Sequence, residues 1–187
     1  MAEMTSNPDV ALLHRAVAYY SPSGHEGEVA RFLAGEMARF CDEAFVDASG
    51  SAVGRWGTGP LKVYLLGHLD TFPGELPVRV TDGKLYGRGS VDAKGPFCAA
   101  VAALRRLEPA LKDELTVRLI GASEEEAPSS RGARHALGAY PEPDLLIVGE
   151  PSGWDAVTLG YKGRLLAGLA LEKPEGHSAG QASSAAD

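Results

Sequence analysis

The residues of this chain best suited to chemistry are His68, Asp70, Asp92, the run Glu124-Glu125-Glu126 and Glu150. His68 and Asp70 lie in Gly67-His68-Leu69-Asp70-Thr71, directly after the apolar run Val63-Tyr64-Leu65-Leu66. A short apolar run closed by turn residues predicts a buried strand, and reactive groups in open α/β sheets gather where such strands end. Two residues apart on an extended segment, the imidazole and the carboxylate point the same way. Asp92 follows in Gly87-Arg88-Gly89-Ser90-Val91-Asp92-Ala93-Lys94-Gly95, just before a helix-like run at 97–107. The pattern then repeats. A predicted strand at 115–120 runs into Gly121-Ala122-Ser123 and the three acids, and another at 145–148 runs into Gly149-Glu150-Pro151-Ser152. Three strands thus deliver His, Asp or Glu to one edge of one sheet. Carboxylates withdrawn from water cost on the order of several kcal/mol each unless something neutralises them. A divalent cation does so, and an imidazole–carboxylate set without thiolate suits zinc or a similar borderline ion better than calcium or magnesium.

Each group has a plainer explanation when taken alone. His68 reads as a core histidine with both nitrogens satisfied, and Asp92 as the N-cap of the helix that follows. The three acids read as a solvated loop and Glu150 as a turn acid. All of these must hold together for the metal reading to fail. The Gly87-x-Gly89 piece is not a dinucleotide fingerprint, because Asp92 stands where the last glycine belongs.

Positioning these groups takes an alternation of helices and strands. Val10, Leu13 and Val17 have helical spacing up to the breakers Tyr20-Ser21-Pro22-Ser23-Gly24, and Val29, Phe32, Leu33 and Met37 mark a second amphipathic helix over about 26–40. Short strands are expected at 43–47 and 51–56, a hairpin around Asp82-Gly83 at 78–85, and a short helix at 131–137. Near Trp154 the character changes. Residues 157–161 and 165–171 read as paired strands of a second domain that the sequence leaves incomplete at Asp187, giving 1–153 and 154–187 as the expected division.

Over 187 residues the net charge is −7, which argues against a nucleic-acid surface. No run approaches 18 apolar residues and the first ten residues lack the basic and apolar parts of a signal peptide, so a cytoplasmic protein without membrane contact is expected. The two cysteines, Cys41 and Cys98, have no metal-type spacing and are expected to be reduced core residues.

The blocks Gly67-His68-Leu69-Asp70-Thr71, Gly87 to Gly95, Glu124-Glu125-Glu126 and Gly149-Glu150-Pro151-Ser152 resemble, in order, those of the M20 family of di-zinc aminoacylases and peptidases. The resemblance covers about residues 8–180. Glu-Glu-Ala-Pro-Ser-Ser at 125–130 and Gly-Glu-Pro-Ser-Gly-Trp at 149–154 are most similar to members that free lysine or ornithine from a LysW-type amino-group carrier protein. It implies an α/β, zinc-exopeptidase-like catalytic domain, with a central mixed, largely parallel sheet flanked by helices, followed by the start of a smaller α+β lid or dimerisation domain. It also implies that His68 and Glu150 bind one zinc, that Asp92 bridges two ions and that Glu126 binds the second. Glu125 would be the general base, Asp70 would orient His68, and His177 in Gly176-His177-Ser178 would donate to the oxyanion, often across a homodimer.

The implied activity is hydrolysis of the amide at an amino acid's α-nitrogen, with zinc or cobalt as cofactor and an acidic carrier protein as substrate. Arg131, Arg134, Lys162 and Arg164 are the basic residues available to meet it. Alternatives are a deacylase of small N-acyl amino acids, a dipeptidase, or a non-catalytic binding fragment. Family members are about twice this long and take a further histidine ligand near their C-terminus. His14, His25 and His135 are no substitute for it, so weak occupancy of the second metal and little activity are expected of the chain alone.

Overall fold

The computed structural model describes residues 7–153, 155–160, 163, 167–170 and 172. The first helix, α1 (Pro8–Ala18), starts where Pro8 can no longer donate and the Asn7 side chain accepts from the Asp9 amide at 2.9 Å. Its innermost residues are Leu12, Ala16 and Val17. The expected stripe is Val10, Leu13 and Val17; Val17 lies inside, whereas Val10 and Leu13 are only partly buried, because Leu12 and Ala16 take the inner face. Helix α2 (Gly27–Met37) buries Val29, Leu33 and Met37 as the spacing predicts, with Ala30 beside them, whereas the expected Phe32 is only partly buried at the margin of the core.

Strands β1 (Glu43–Val46) and β2 (Ala52–Trp56) form a hairpin, and β3 (Leu61–His68) carries the organising apolar run. A separate small hairpin, β4 (Arg79–Thr81) and β5 (Lys84–Tyr86), turns at Asp82 and Gly83, both with positive φ. That pair of angles is what an Asp-Gly hairpin turn requires. Helix α3 (Lys94–Leu104), strand β6 (Leu115–Ala122), helix α4 (Arg131–Ala139) and strand β7 (Leu145–Val148) follow.

The main sheet runs β1-β2-β6-β3-β7. Its β1–β2 and β2–β6 pairings are antiparallel, whereas β3 pairs parallel with β6 on one side and β7 on the other. His68 lies opposite Ala122, and Leu66 opposite Val148, so the ends of three parallel strands stand side by side. Residues of α1, α2 and α3 pack with Trp56, Val117 and Leu119 of the sheet into one core. At Gly121 an added Cβ would meet the Leu69 side chain at 2.8 Å, so the strand end leaves room only for glycine there. Cys98 belongs to that core; Cys41 is half-buried at its margin, and both thiols are free. Burial pushes each thiol up to about 12, which leaves them inert at neutral pH.

The chain divides after Pro151. Beyond it, residues 157–160 and 167–170 are exposed and have no regular secondary structure, so the strands expected there are not found among the described residues. Tyr161, Leu165, Leu166, Leu171 and His177 lie outside the described residues. Among the described residues no helix is long and apolar enough to cross a membrane.

Candidate metal centre

His68 ends β3 and is almost wholly buried. Its Nδ1 lies 2.9 Å from the main-chain oxygen of Asp70 and 3.4 Å from that residue's Oδ1. A carbonyl oxygen can only accept, so Nδ1 carries the hydrogen and Nε2 is left to face the acids. Around Nε2 stand Asp92 Oδ1 at 2.9 Å, Glu150 Oε1 at 3.8 Å and Glu125 Oε2 at 3.9 Å. Ligand atoms of His68, Asp92 and Glu126 all lie within 4.8 Å of one another. Four segments far apart in sequence therefore bring His68, Asp92, Glu125, Glu126 and Glu150 to one place.

Asp92 precedes α3 but does not cap it. The cap position is Ala93, with no side-chain capping bond, and the Asp92 carboxylate turns to His68 instead. The Asp92–Ala93 peptide is cis.

Asp70 does more than orient the imidazole. Its carboxylate accepts from the Glu125 amide at 3.0 Å, the Glu126 amide at 2.9 Å and the Ser23 hydroxyl at 2.7 Å. Burial alone would raise its pKa, yet the hydrogen bonds from His68, Ser23 and the two amides hold it below the usual carboxylate range. Glu124, the first of the three acids, faces elsewhere. Its carboxylate takes the Ser129 hydroxyl at 2.6 Å and Arg131 Nη1 at 3.2 Å, which sets it apart from its two neighbours. Arg131 also reaches the Ala48 carbonyl, so this guanidinium is committed to holding the acid turn.

The charges around His68 explain its ionisation. Burial opposes a charge on the ring, but the Asp70 hydrogen bond, the Glu150 charge and the Asp92 hydrogen bond outweigh it and push the pKa up to about 9. Glu126 is raised by burial and by the negative Asp92 and Glu125 beside it. Glu150 is raised by burial first and then by Glu125, Asp92 and Glu126. These are the marks of acids crowded without enough positive charge. A cation about 2.0–2.2 Å from each donor needs donors no more than about 4.4 Å apart, so the observed group has to close by less than an ångström. One imidazole nitrogen with carboxylate oxygens fits a divalent cation in number, charge and spacing.

The profile of Peptidase family M20/M25/M40 matches residues 64–179, which include every one of these groups. The chain belongs to that family. Family membership implies dependence on a divalent metal, and His68, Asp92 and Glu126 form a donor set suited to one. A LysW-lysine hydrolase from Deinococcus radiodurans is 51% identical over 189 residues, covering 98% of this chain and 52% of the relative. A LysW-lysine/LysW-ornithine hydrolase from Sulfurisphaera tokodaii is 30% identical, covering 82% of this chain and 42% of the relative. The chain spans about half the length of the curated relatives it matches. A tripeptidase structure from Staphylococcus aureus superposes with a TM-score of 0.64 at 17% identity, over 78% of this chain and 43% of that one, a likeness of fold alone. This M20 fold is the mixed, helix-flanked sheet that the sequence predicts.

Two participants are not evident from the sequence. Glu26 Oε1 accepts the Glu124 amide at 3.0 Å, and Ser23 holds Asp70. Their only local signal is the Ser23-x-x-Glu26 spacing, which spells a helix cap.

Proposed function

We propose that this chain is the metal-binding part of an amidohydrolase that releases lysine or ornithine from an amino-group carrier protein. The observation that carries the reading is the convergence of His68, Asp92, Glu126 and Glu150 around one imidazole nitrogen, with Glu125 beside them. The names of the relatives support the carrier as the substrate.

In this reading His68 and Glu150 would hold one ion and Glu126 a second, with Asp92 shared between them; zinc suits the donors, and cobalt shares their preferences. A bound divalent cation supplies Lewis acidity to the amide carbonyl and makes water more acidic. Glu125 is half exposed and 3.9 Å from Nε2, so it can reach water at the site. It takes one proton from the attacking water as the new C–O bond forms. The C–N bond then breaks, and Glu125 returns that proton to the departing α-amino group, leaving a free amino acid and, on the carrier, a carboxyl group that loses the second water proton to become a carboxylate. Asp70 keeps His68 in the ligating tautomer and fixes the Glu125 and Glu126 backbones. His177 as oxyanion donor, residues 154–187 as the start of a lid, a homodimer and a cytoplasmic location belong to the same reading.

The test is amine release from a carrier–lysine conjugate and from N-acetylornithine, using the gene product that contains this chain. Lysine release is expected, with Glu125→Gln slowing it by roughly 100-fold or more. Release from the acetylated compound alone would remove the carrier assignment.

A further inference from the structure

The turn that carries Glu125 and Glu126 is held through three successive amides, each bound by an internal carboxylate. Glu125 and Glu126 donate to the two oxygens of Asp70, and Glu124 donates to Glu26 Oε1 at 3.0 Å. Glu124 has φ of +55°, and a left-handed residue in a turn swings consecutive N–H groups to one side, making a concavity that selects an anion. Here the protein supplies that anion itself.

Glu26 is an unusual residue to find in this place. It is 5% exposed and forms no ion pair among the described residues; its Oε1 also accepts the Gly24 amide at 3.0 Å. A buried carboxylate without a cation needs such donors to be tolerated. It stands at the start of α2 yet makes no side-chain capping bond there. The segment it belongs to also grips the end of β3. Ser21 Oγ donates to the Leu69 carbonyl at 2.7 Å, the Thr71 amide donates to the Ser21 carbonyl at 2.9 Å, and Ser23 Oγ donates to Asp70 Oδ2. One short loop thus touches both the strand end that carries His68 and the turn that carries the acids.

We infer that Glu26 is a positioning residue, setting the acid turn against His68 by accepting the Glu124 amide. The inference rests on reading Glu126 as a metal ligand and Glu125 as the base. What Glu26 contributes is an acceptor oxygen at a fixed point; its negative charge is secondary.

The test is zinc affinity, measured on the protein by competition with a chromophoric chelator, with circular dichroism and Tm as checks of folding. Glu26→Ala is expected to weaken zinc binding about 10- to 100-fold, the usual cost of removing a residue that orients a ligand. Glu26→Gln keeps the acceptor oxygen and is expected to bind within about threefold of the parent. An unchanged affinity in Glu26→Ala overturns the inference. So does a loss of more than tenfold in Glu26→Gln, and that arm decides the matter if the alanine variant does not fold. His68→Ala serves as the control: if it too leaves affinity unchanged, the metal reading itself is wrong, whereas its failure to bind beside a normal Glu26→Ala condemns only the role given to Glu26.

Discussion

At His68 a proton and the proposed divalent cation would compete for one nitrogen. The Nε2 that faces Asp92 at 2.9 Å is the atom the proposed metal would take, so binding would displace the proton held between them. Three groups of the site have folded pKa values above their ordinary ones: His68, from 6.5 up to about 9, and Glu126 and Glu150 by direction. A raised folded pKa means that the folded state binds more protons than the unfolded one. The stability from His68 is therefore complete below pH 6.5 and lost as pH rises through about 9, and the two glutamates act with the same sign from a lower starting point. Asp70 runs the other way, its contribution being lost only as the medium becomes strongly acidic. The cation-free protein is expected to melt at lower temperature as pH rises from 6 to 8.5, with the gain in Tm on adding zinc growing over the same interval. A zinc-dependent gain that shrinks with pH would contradict this balance of charges.

At the scale of the element, the site depends on how closely the Asp92 loop lies against the start of α3. A Cβ at Gly95 would meet the Ser90 carbonyl oxygen at 2.4 Å, and that backbone atom cannot swing aside. Gly95→Ala is expected to cost about 1–3 kcal/mol in urea unfolding and to weaken zinc binding, because relieving the overlap moves Asp92. Full stability and full affinity would show that the loop can give way at Ser90 without moving Asp92. Much of this architecture is readable in the chain itself. The apolar run into Gly67-His68, the Asp-Gly turn and the acids after β6 and β7 each announce themselves locally, because strand ends and tight turns depend on neighbouring residues. Glu26 does not, since its partner amide belongs to Glu124 and only the fold joins them. The inner face of α1 is equally hidden, because Ala16 is chosen by what packs against it rather than by hydrophobicity. Leu145 to Val148 reads as an apolar strand, and β7 stands at the edge of the sheet with all four side chains about half exposed. Apolar patterning identifies a strand without saying what lies beside it.

For the molecule as a whole, that edge has a consequence. Among the described residues β7 pairs only with β3, leaving an apolar strand with one unpaired side. Such edges template association. The isolated chain is expected to self-associate with rising concentration in sedimentation velocity, and Ile147→Lys to suppress it; a strictly monomeric parent chain would show the edge to be covered. At the carboxyl ends of β3, β6 and β7, residues distant in the chain come together in the proposed cation site. Anomalous scattering at the zinc edge from crystals of the zinc-loaded protein tests it most directly. The expected result is a peak about 2.0–2.2 Å from His68 Nε2, bounded by carboxylate oxygens of Asp92 and of Glu126 or Glu150. Zinc bound only elsewhere, or these four side chains left without density between them at saturating zinc, would contradict the account.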